Sequence, residues 1–212
     1  MSIIWNSLLD FLFPRKCEIC GKEGSLLCEW CKSKLEKPPV TVDRKRLKWG
    51  LRGITALYSY KDPKVRHLIE RIKFGFCDAL IPELMPKDIN FDDFDLIVPI
   101  PLHFFRENWR GFNQAERIAR AIERTQEIKN SRQSKVEKVL RRVRNTKQQA
   151  RLKSREERKR NITDAFVVIE NVKDKRILLV DDVFTTGESM GEACKTLMKA
   201  GAKYVWGFVL AR

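Results

Sequence analysis

Two adjacent carboxylates, Asp181 and Asp182, directly follow a run of four aliphatic residues, 177–180. Shortly afterwards comes a loop of mostly small polar residues that suits the start of a helix: Thr185, Thr186, Gly187, Glu188 and Ser189. The free N–H groups of a helix's first turn bind anions, whereas adjacent carboxylates accept hydrogen bonds and repel a phosphate. The stretch therefore offers two different kinds of binding group next to each other.

A ribose 5-phosphate satisfies both kinds of group. Its 2′- and 3′-hydroxyls can donate to Asp181 and Asp182, and its 5′-phosphate can accept from the loop 185–189. The alternative is an ordinary strand, turn and helix, in which a Thr caps the helix and the two acids are solvated. The sequence predicts a sugar-phosphate site if the neighbouring elements form an α/β fold.

Alternating strand and helix patterns surround this stretch. Buried-type or alternating runs predict strands at 54–60, 95–101, 165–170, 176–182 and 204–211, and amphipathic runs predict helices at 62–74, 113–126 and 187–202. Residues 135–143 fit either a strand or a helical turn. The pattern predicts an α/β domain with a mainly parallel sheet flanked by helices. Ligands of such sheets bind beyond the carboxyl ends of the strands, where Asp181 and Asp182 lie.

Four cysteines near the start form two close pairs: Cys17, Cys20, Cys28 and Cys31. The C-x2-C-x7-C-x2-C spacing lets four thiolates surround a zinc ion tetrahedrally. The protein fills all four positions, so the ion would be structural rather than catalytic. The alternative is two disulfides or four unrelated thiols.

The composition is strongly basic, with a formal net charge of +15 over 212 residues. This charge predicts attraction to polyanions, and part of it is also of the kind that stabilises heat-adapted proteins.

No apolar run approaches the roughly 18 residues of a transmembrane helix, and the start lacks the features of an export signal, so we expect a cytoplasmic protein. We predict a zinc-finger module with a leading amphipathic helix at 1–37, a linker at 38–52 and the α/β domain at 53–212.

Residues 177–189 resemble the phosphoribosyl pyrophosphate (PRPP) signature of type I phosphoribosyltransferases at every position. That family uses the loop after its first core strand to hold pyrophosphate. By this resemblance the loop contains Pro99, Ile100, Pro101 and Leu102, with Arg106 and Arg110 near enough to assist. In such a site Mg²⁺ would bind together with PRPP, between the pyrophosphate and the sugar hydroxyls.

A basic segment at 140–161 includes Arg144, Lys147, Arg151 and Arg155. It could be a hood that closes on pyrophosphate, excludes water and supplies positive charge. It could equally be a solvated basic helix, and single-stranded nucleic acid could bind the same surface. Trp49, Phe104, Phe105 and Trp109 lie near basic residues and could stack on bases, although such residues more often belong to a core.

Nearly the whole chain resembles the ComF family of competence proteins. The four-cysteine segment is followed in order by "KFG", "VPIPLH", "RGFNQAE", "LRRVRNTKQQARL", "ERKRNITDAF" and "LLVDDVFTTGES". The resemblance implies a type I phosphoribosyltransferase fold with a zinc finger, a role in bacterial DNA uptake and transformation, single-stranded DNA as a ligand and a helicase-like partner. Its reaction stays open. We prefer phosphoribosyl transfer to an unidentified acceptor over a non-catalytic protein that senses PRPP or a nucleotide, or binds single-stranded DNA.

Overall fold

The structure is a computed structural model that describes residues 14–38, 50–74, 77–86, 91, 93–102, 111–128, 134–144 and 163–212. Its helices are α1 (Glu29–Ser33), α2 (Pro63–Phe74), α3 (Leu80–Leu84), α4 (Gln114–Ile128) and α5 (Glu188–Lys199). Its strands are β1 (Gly53–Tyr58), β2 (Leu96–Pro99), β3 (Lys135–Val136), β4 (Leu140–Arg142), β5 (Phe166–Val168), β6 (Arg176–Val183) and β7 (Tyr204–Ala211). Residues 1–13, with which the predicted module and its leading helix begin, and most of the linker lie outside these residues.

Five strands form a parallel sheet in the order β1-β7-β6-β2-β3. The predicted mainly parallel sheet is therefore confirmed. The segment 135–143, which the sequence left undecided, forms two short strands. β4 and β5 pair antiparallel in a separate small sheet, so the strand predicted at 165–170 exists but does not join the main sheet.

Helices cover both faces of the main sheet because its strands are apolar on both sides. In β6, Leu178 and Val180 pack with α2, α3 and α4 on one face. The alternate residues Ile177 and Leu179 pack with α5 and the small sheet on the other face. This arrangement confirms the predicted layers of helices around a buried sheet.

The cysteine module packs against the face of the sheet covered by α2 and α3. Cys17, Leu27, Cys31 and Leu35 belong to the same buried cluster as the inner faces of these helices. The two isolated cysteines, Cys77 and Cys194, differ in burial: Cys194 is fully buried, and Cys77 is only half-buried. None of the helices in the described ranges has the length and apolar character needed to cross a lipid bilayer.

Candidate functional site

The candidate site lies where the neighbouring strands β2 and β6 end. Their register pairs Pro99 with Val180, so their carboxyl ends lie side by side at one edge of the sheet. The chain continues from β2 to α4 on one face and from β6 to α5 on the opposite face. A crevice forms where consecutive connections diverge in this way, and it is the usual ligand site of an open α/β sheet.

A cavity of about 370 Å³ occupies this edge. It is lined by eight of the predicted site residues: Asp181, Asp182, Thr185, Gly187, Ser189, Ile100, Pro101 and Leu102. The structure therefore brings the acid pair, the loop before α5 and the loop after β2 together around one space. Pro99, Thr186, Glu188 and Arg144 are described but are not among the lining residues, and Arg106, Arg110, Lys147, Arg151 and Arg155 lie outside the described residues.

A basic residue lies on each side of the acid pair, and the two basic residues come from opposite faces of the sheet. Successive side chains of a strand point to opposite faces, so Asp181 continues the α5 side and Asp182 the α2 side. Lys73, in the last turn of α2, pairs with Asp182 at 3.0 Å from Nζ to Oδ2. Arg142 of β4 lines the cavity on the other side. The acid pair is therefore neither buried without partners nor simply solvated.

Burial and mutual repulsion change how the pair ionises. Burial, followed by the neighbouring charge of Asp182, raises the pKa of Asp181 to about 7. The amide of Asp182, which donates to Asp181 Oδ1 at 2.9 Å, and the charges of Lys73 and Arg142 lower this pKa without cancelling the rise. Burial is the largest single effect on Lys73 and lowers its pKa, but the charge and hydrogen bond of Asp182 together with the charge of Asp181 outweigh burial, so the net shift of the Lys73 pKa is upward. Lys73 is therefore a stable cation beside an acid pair in which the pKa of Asp181 lies near neutrality.

The loop between β6 and α5 ends at a glycine whose backbone is left-handed. Gly187 is the N-cap of α5 with φ 77° and no side-chain cap, so the sequence alternative of a Thr cap is wrong. A residue with a side chain adopts this left-handed backbone only at a cost, which explains the glycine. The Thr186 hydroxyl is buried and has no hydrogen-bond partner among the described residues. The start of a helix is where backbone amides can bind an anion, and this start lies at the cavity.

Asn113 connects the loop after β2 to α4. Its amide nitrogen donates to the Ile100 carbonyl at 3.0 Å, and its side-chain oxygen accepts from the Ala115 amide at 3.0 Å. The residue therefore caps α4 and fixes the wall formed by residues 100–102. The Ile100 amide also donates to the Val180 carbonyl at 2.9 Å, which ties this wall to β6.

Of the four basic residues named for the predicted hood, Arg144 is the one within the described residues; the described part of the hood segment is 140–144, and its Arg142 lines the cavity. Arg144 is exposed, and its guanidinium donates to the Thr163 carbonyl. This hydrogen bond joins the residues that flank 145–162. The aromatic residues predicted as stacking candidates, Trp49, Phe104, Phe105 and Trp109, lie outside the described residues.

Sequence reasoning did not name two basic residues that line the site, Lys73 and Arg142, although Arg142 lies within the basic segment 140–161 predicted as a hood. Lys73 lies in the last turn of a helix, where a basic side chain is usually explained by the helix dipole. Arg142 lies in the segment whose secondary structure the sequence did not determine. The "KFG" motif contains Lys73, but nothing in the sequence indicates which acid this lysine contacts.

The four cysteines of the N-terminal module lie close together in space. Their Sγ atoms all lie within 4.8 Å of one another, and Cys20 and Cys28 are 3.7 Å apart. Sulfur atoms bound tetrahedrally to zinc at about 2.3 Å are about 3.8 Å apart, whereas a disulfide needs about 2.05 Å. All four residues are free thiols, and the cluster is compatible with a structural metal site.

The thiols of this cluster ionise unequally. Burial opposes ionisation of Cys17, but amide groups of Cys28, Cys20 and Ile19 donate to its sulfur, and its pKa falls to about 6. Burial and the neighbouring thiols raise the pKa of Cys31 to about 12. Cys17 is therefore the thiol best prepared to bind a cation as a thiolate.

These features agree with known proteins. The family model described as the phosphoribosyl transferase domain matches residues 75–211, so the chain belongs to that family. Within it, the chain belongs with the ComF competence proteins: it is 34% identical to Competence protein F of Haemophilus influenzae over 92% of this chain and 84% of that protein.

Two further relatives match over a similar span. Competence protein ComFC of Bacillus subtilis is 29% identical over 92% of this chain and 77% of its own length. DNA utilization protein YhgH of Salmonella typhimurium is 34% identical over 93% of this chain and 82% of its own length. A solved purine phosphoribosyltransferase from Pyrococcus horikoshii is 12% identical over 75% of this chain and 87% of that chain, with a TM-score of 0.32, which is too weak a likeness to support a conclusion. The curated relatives support a role in competence.

Proposed function

We propose that the chain binds PRPP, or a related phosphorylated ribose, in the cavity at the ends of β2 and β6. The observation that carries this proposal is that one cavity contains both the acid pair and the start of α5. The ribose hydroxyls would donate to Asp181 and Asp182. The amides after Gly187 and the Ser189 hydroxyl would donate to the 5′-phosphate, and the pyrophosphate would lie against residues 100–102.

The lining of the cavity fits a magnesium ion bound together with such a ligand. It presents carboxylate and hydroxyl oxygens, with no thiolate or imidazole among the described lining residues, and Mg²⁺ prefers oxygen ligands. When bound between the pyrophosphate and the sugar hydroxyls, the ion would supply positive charge that stabilises the leaving group. The protein's own acids would hold the sugar in place.

The preferred activity is phosphoribosyl transfer. The bond between ribose C1 and pyrophosphate would break while an acceptor forms a bond to C1, and the electron pair of the broken bond would leave on pyrophosphate. Positive charge would develop on the ring near Asp181 and Asp182, and negative charge on the leaving group. Fixed groups of opposite charge stabilise such a transition state. The acceptor is unidentified, and a non-catalytic PRPP or nucleotide sensor is the alternative within the same site.

Calorimetric titration of the purified protein with PRPP and Mg²⁺ tests the binding. Asp182→Asn should weaken binding about tenfold to a hundredfold, because a hydrogen bond to a charged group contributes about 1.5–3 kcal/mol. Ser189→Ala should also weaken binding, because it removes a hydroxyl that would donate to the 5′-phosphate. Asp174→Asn is the matched control, since Asp174 is exposed and precedes the opposite end of β6. If the wild-type protein gives no heat of binding, the proposal is refuted. Release of pyrophosphate from bound PRPP would indicate an enzyme, and binding without release would indicate a sensor.

Single-stranded DNA is a second candidate ligand, supported by the outer face of α4. Arg117, Arg120 and Arg124 are three and four residues apart and line a groove of about 500 Å³ between α3 and α4. Residues at this spacing lie on one face of a helix. Arg117 pairs with Asp78 at 3.4 Å and Arg120 with Glu123 at 3.0 Å, so acids offset part of this charge. The net charge of +15 favours a polyanion in addition.

Fluorescence anisotropy of a labelled single-stranded oligonucleotide at increasing salt tests this second candidate. Replacing Arg120 and Arg124 by Gln should weaken binding and reduce its dependence on salt, because fewer phosphates are neutralised. The matched control replaces Lys64 and Arg66, two exposed basic residues of α2, by Gln. Equal effects of the two double variants would exclude the α4 groove as the binding surface.

The remaining expectations also stand as proposals. We propose Zn²⁺ as the structural ion of the four cysteines, which the separations of their sulfur atoms support. Free thiols support a reducing compartment such as the cytoplasm. The helicase-like partner follows from the family resemblance, and it is tested by co-purification of the two proteins.

A further inference from the structure

Helix α2 carries two ion pairs that point to different parts of the molecule. Arg71 binds Glu18 of the cysteine module through two hydrogen bonds, Nε to Oε2 at 2.8 Å and Nη2 to Oε1 at 3.1 Å. Lys73 binds Asp182 of the candidate site at 3.0 Å. Residues two apart on a helix project about 200° apart around its axis. One turn of α2 therefore contacts the finger on one side and the acid pair on the other.

Glu18 is part of the finger itself, because it lies in the turn between the first two cysteines, Cys17 and Cys20. It is 17% exposed, and His67 of α2 lies 3.9 Å from the same carboxylate. The bidentate hydrogen bond between Glu18 and Arg71 restricts the orientation of the guanidinium more than a single hydrogen bond would. The position of Arg71 is therefore set by the finger as well as by the helix.

Further contacts attach the finger to the neighbouring helix α3. The Glu83 carboxylate accepts from the amides of Leu26 and Leu27, which lie between the two cysteine pairs. Lys32 of α1 donates to the Met85 carbonyl at 3.2 Å. The finger, α2 and α3 are thus joined by polar bonds in addition to their shared apolar core. The finger is therefore attached to the helix that carries Lys73 and to the helix next to it.

Lys73 has the geometry of a residue that orients an acid. It is 20% exposed and Asp182 is 14% exposed, so water competes little for their contact. Its ammonium group fixes one oxygen of Asp182, and the other oxygen can accept from a ligand hydroxyl. Glu70 and Tyr60 line the same side of the cavity, but the ion pair at Asp182 is made by Lys73.

We propose that Lys73 is a positioning residue of the candidate site and that the four-cysteine finger holds it in place through the Glu18–Arg71 pair. The inference rests on the proposed ribose-phosphate function and adds a residue and a regulating module to it. Loss of the finger contact should weaken ligand binding at a distance, although neither Glu18 nor Arg71 lines the cavity.

Titration calorimetry with PRPP and Mg²⁺ on single variants of the full chain tests the proposal. Lys73→Met should weaken binding at least tenfold, and Lys73→Arg should restore most of the loss because it keeps the positive charge. Glu18→Gln and Arg71→Met should each weaken binding about threefold, and Arg71→Lys should weaken it less. Glu23→Gln is the matched control: Glu23 is also in the finger, but it pairs with Lys16 at the surface, at 3.4 Å. Zinc content and the melting temperature are measured for every variant.

The titration of the Asp181 carboxyl, followed by NMR without ligand, gives a second readout that a purely structural role would not change. The charge of Lys73 lowers the pKa of Asp181, so Lys73→Met should move the titration to higher pH, and Glu18→Gln should move it in the same direction. Glu18→Gln that behaves as the wild-type protein in both experiments would overturn the proposal. If the wild-type protein binds no PRPP, the proposed function fails, and the Asp181 titration then decides the connection between finger and Lys73 by itself.

Discussion

The raised pKa of Asp181 predicts that an Asn at this position stabilises the protein at alkaline pH. The carboxyl titrates at about 7 in the folded protein and at 3.8 when unperturbed. At pH values between these two pKa values, the folded protein holds a proton on Asp181 that the unfolded chain has lost. The free energy of unfolding therefore falls as the pH rises through this range. At 1.36 kcal/mol per pKa unit the whole loss is about 4 kcal/mol, and about 2–3 kcal/mol of it lies between about pH 5 and about pH 8.5.

Urea unfolding followed by circular dichroism, for the wild-type protein and Asp181→Asn at about pH 5 and about pH 8.5, measures this difference. Asn retains an oxygen that can accept the 2.9 Å bond from the Asp182 amide, so the substitution removes mainly the charge. The variant should gain about 2–3 kcal/mol relative to wild type over this interval. The matched control, Asp174→Asn, should follow the pH dependence of the wild-type protein.

Two outcomes would refute the reasoning about Asp181. Parallel pH dependences of the wild-type protein and Asp181→Asn would mean that this carboxyl ionises equally in the folded and unfolded chain. An Asp181 carboxyl resonance that titrates near 4 would mean that Lys73 and Arg142 cancel the effects of burial and of Asp182. In either case the acid pair would carry its full negative charge at neutral pH.

Two further substitutions test the packing of the sheet and the attachment of the finger. Gly53→Ala would bring a methyl group to 2.3 Å from the Trp206 ring, so the ring must move and weaken its 3.0 Å bond to Thr55. We expect a loss of about 1–3 kcal/mol in the free energy of unfolding, measured in urea by tryptophan fluorescence, and an unchanged midpoint would contradict this. Glu83→Gln weakens the two hydrogen bonds that the finger amides donate to this side chain. It should lower the free energy of unfolding by about 1–2 kcal/mol and speed the release of metal to a chelator. The control Glu23→Gln should have neither effect, because Glu23 pairs with Lys16 at the surface.

The junction between β6 and α5 could be predicted from the sequence because all its signals are local. Four aliphatic residues fix the strand, Gly187 supplies the left-handed turn, and the helix follows within the same stretch. The cap formed by Asn113 was predictable for the same reason. A short segment that contains both the element and its end needs no knowledge of the rest of the fold.

The partners of the acids could not be predicted because they come from distant parts of the chain. Lys73 precedes Asp182 by more than a hundred residues, and only the packing of α2 on the sheet brings them together. The separate pairing of β4 with β5 was missed because strands of three residues carry too little alternation to identify a neighbour. The bond between Glu18 and Arg71 likewise joins two exposed-type residues, for which hydrophobic periodicity gives no signal.

The place of β7 in the sheet has a consequence for biosynthesis. β7 follows both β1 and β6 in the chain and leaves the ribosome after them, yet it lies between them in the sheet and pairs with them over five and seven residue pairs. Until residues 204–211 emerge, both neighbours have an open edge of unpaired amides and carbonyls, which is the kind of edge that associates with other chains. A nascent chain whose synthesis pauses before β7 therefore exposes these edges for longer and depends more on chaperones. The finger leaves the ribosome long before the sheet on which it packs is complete.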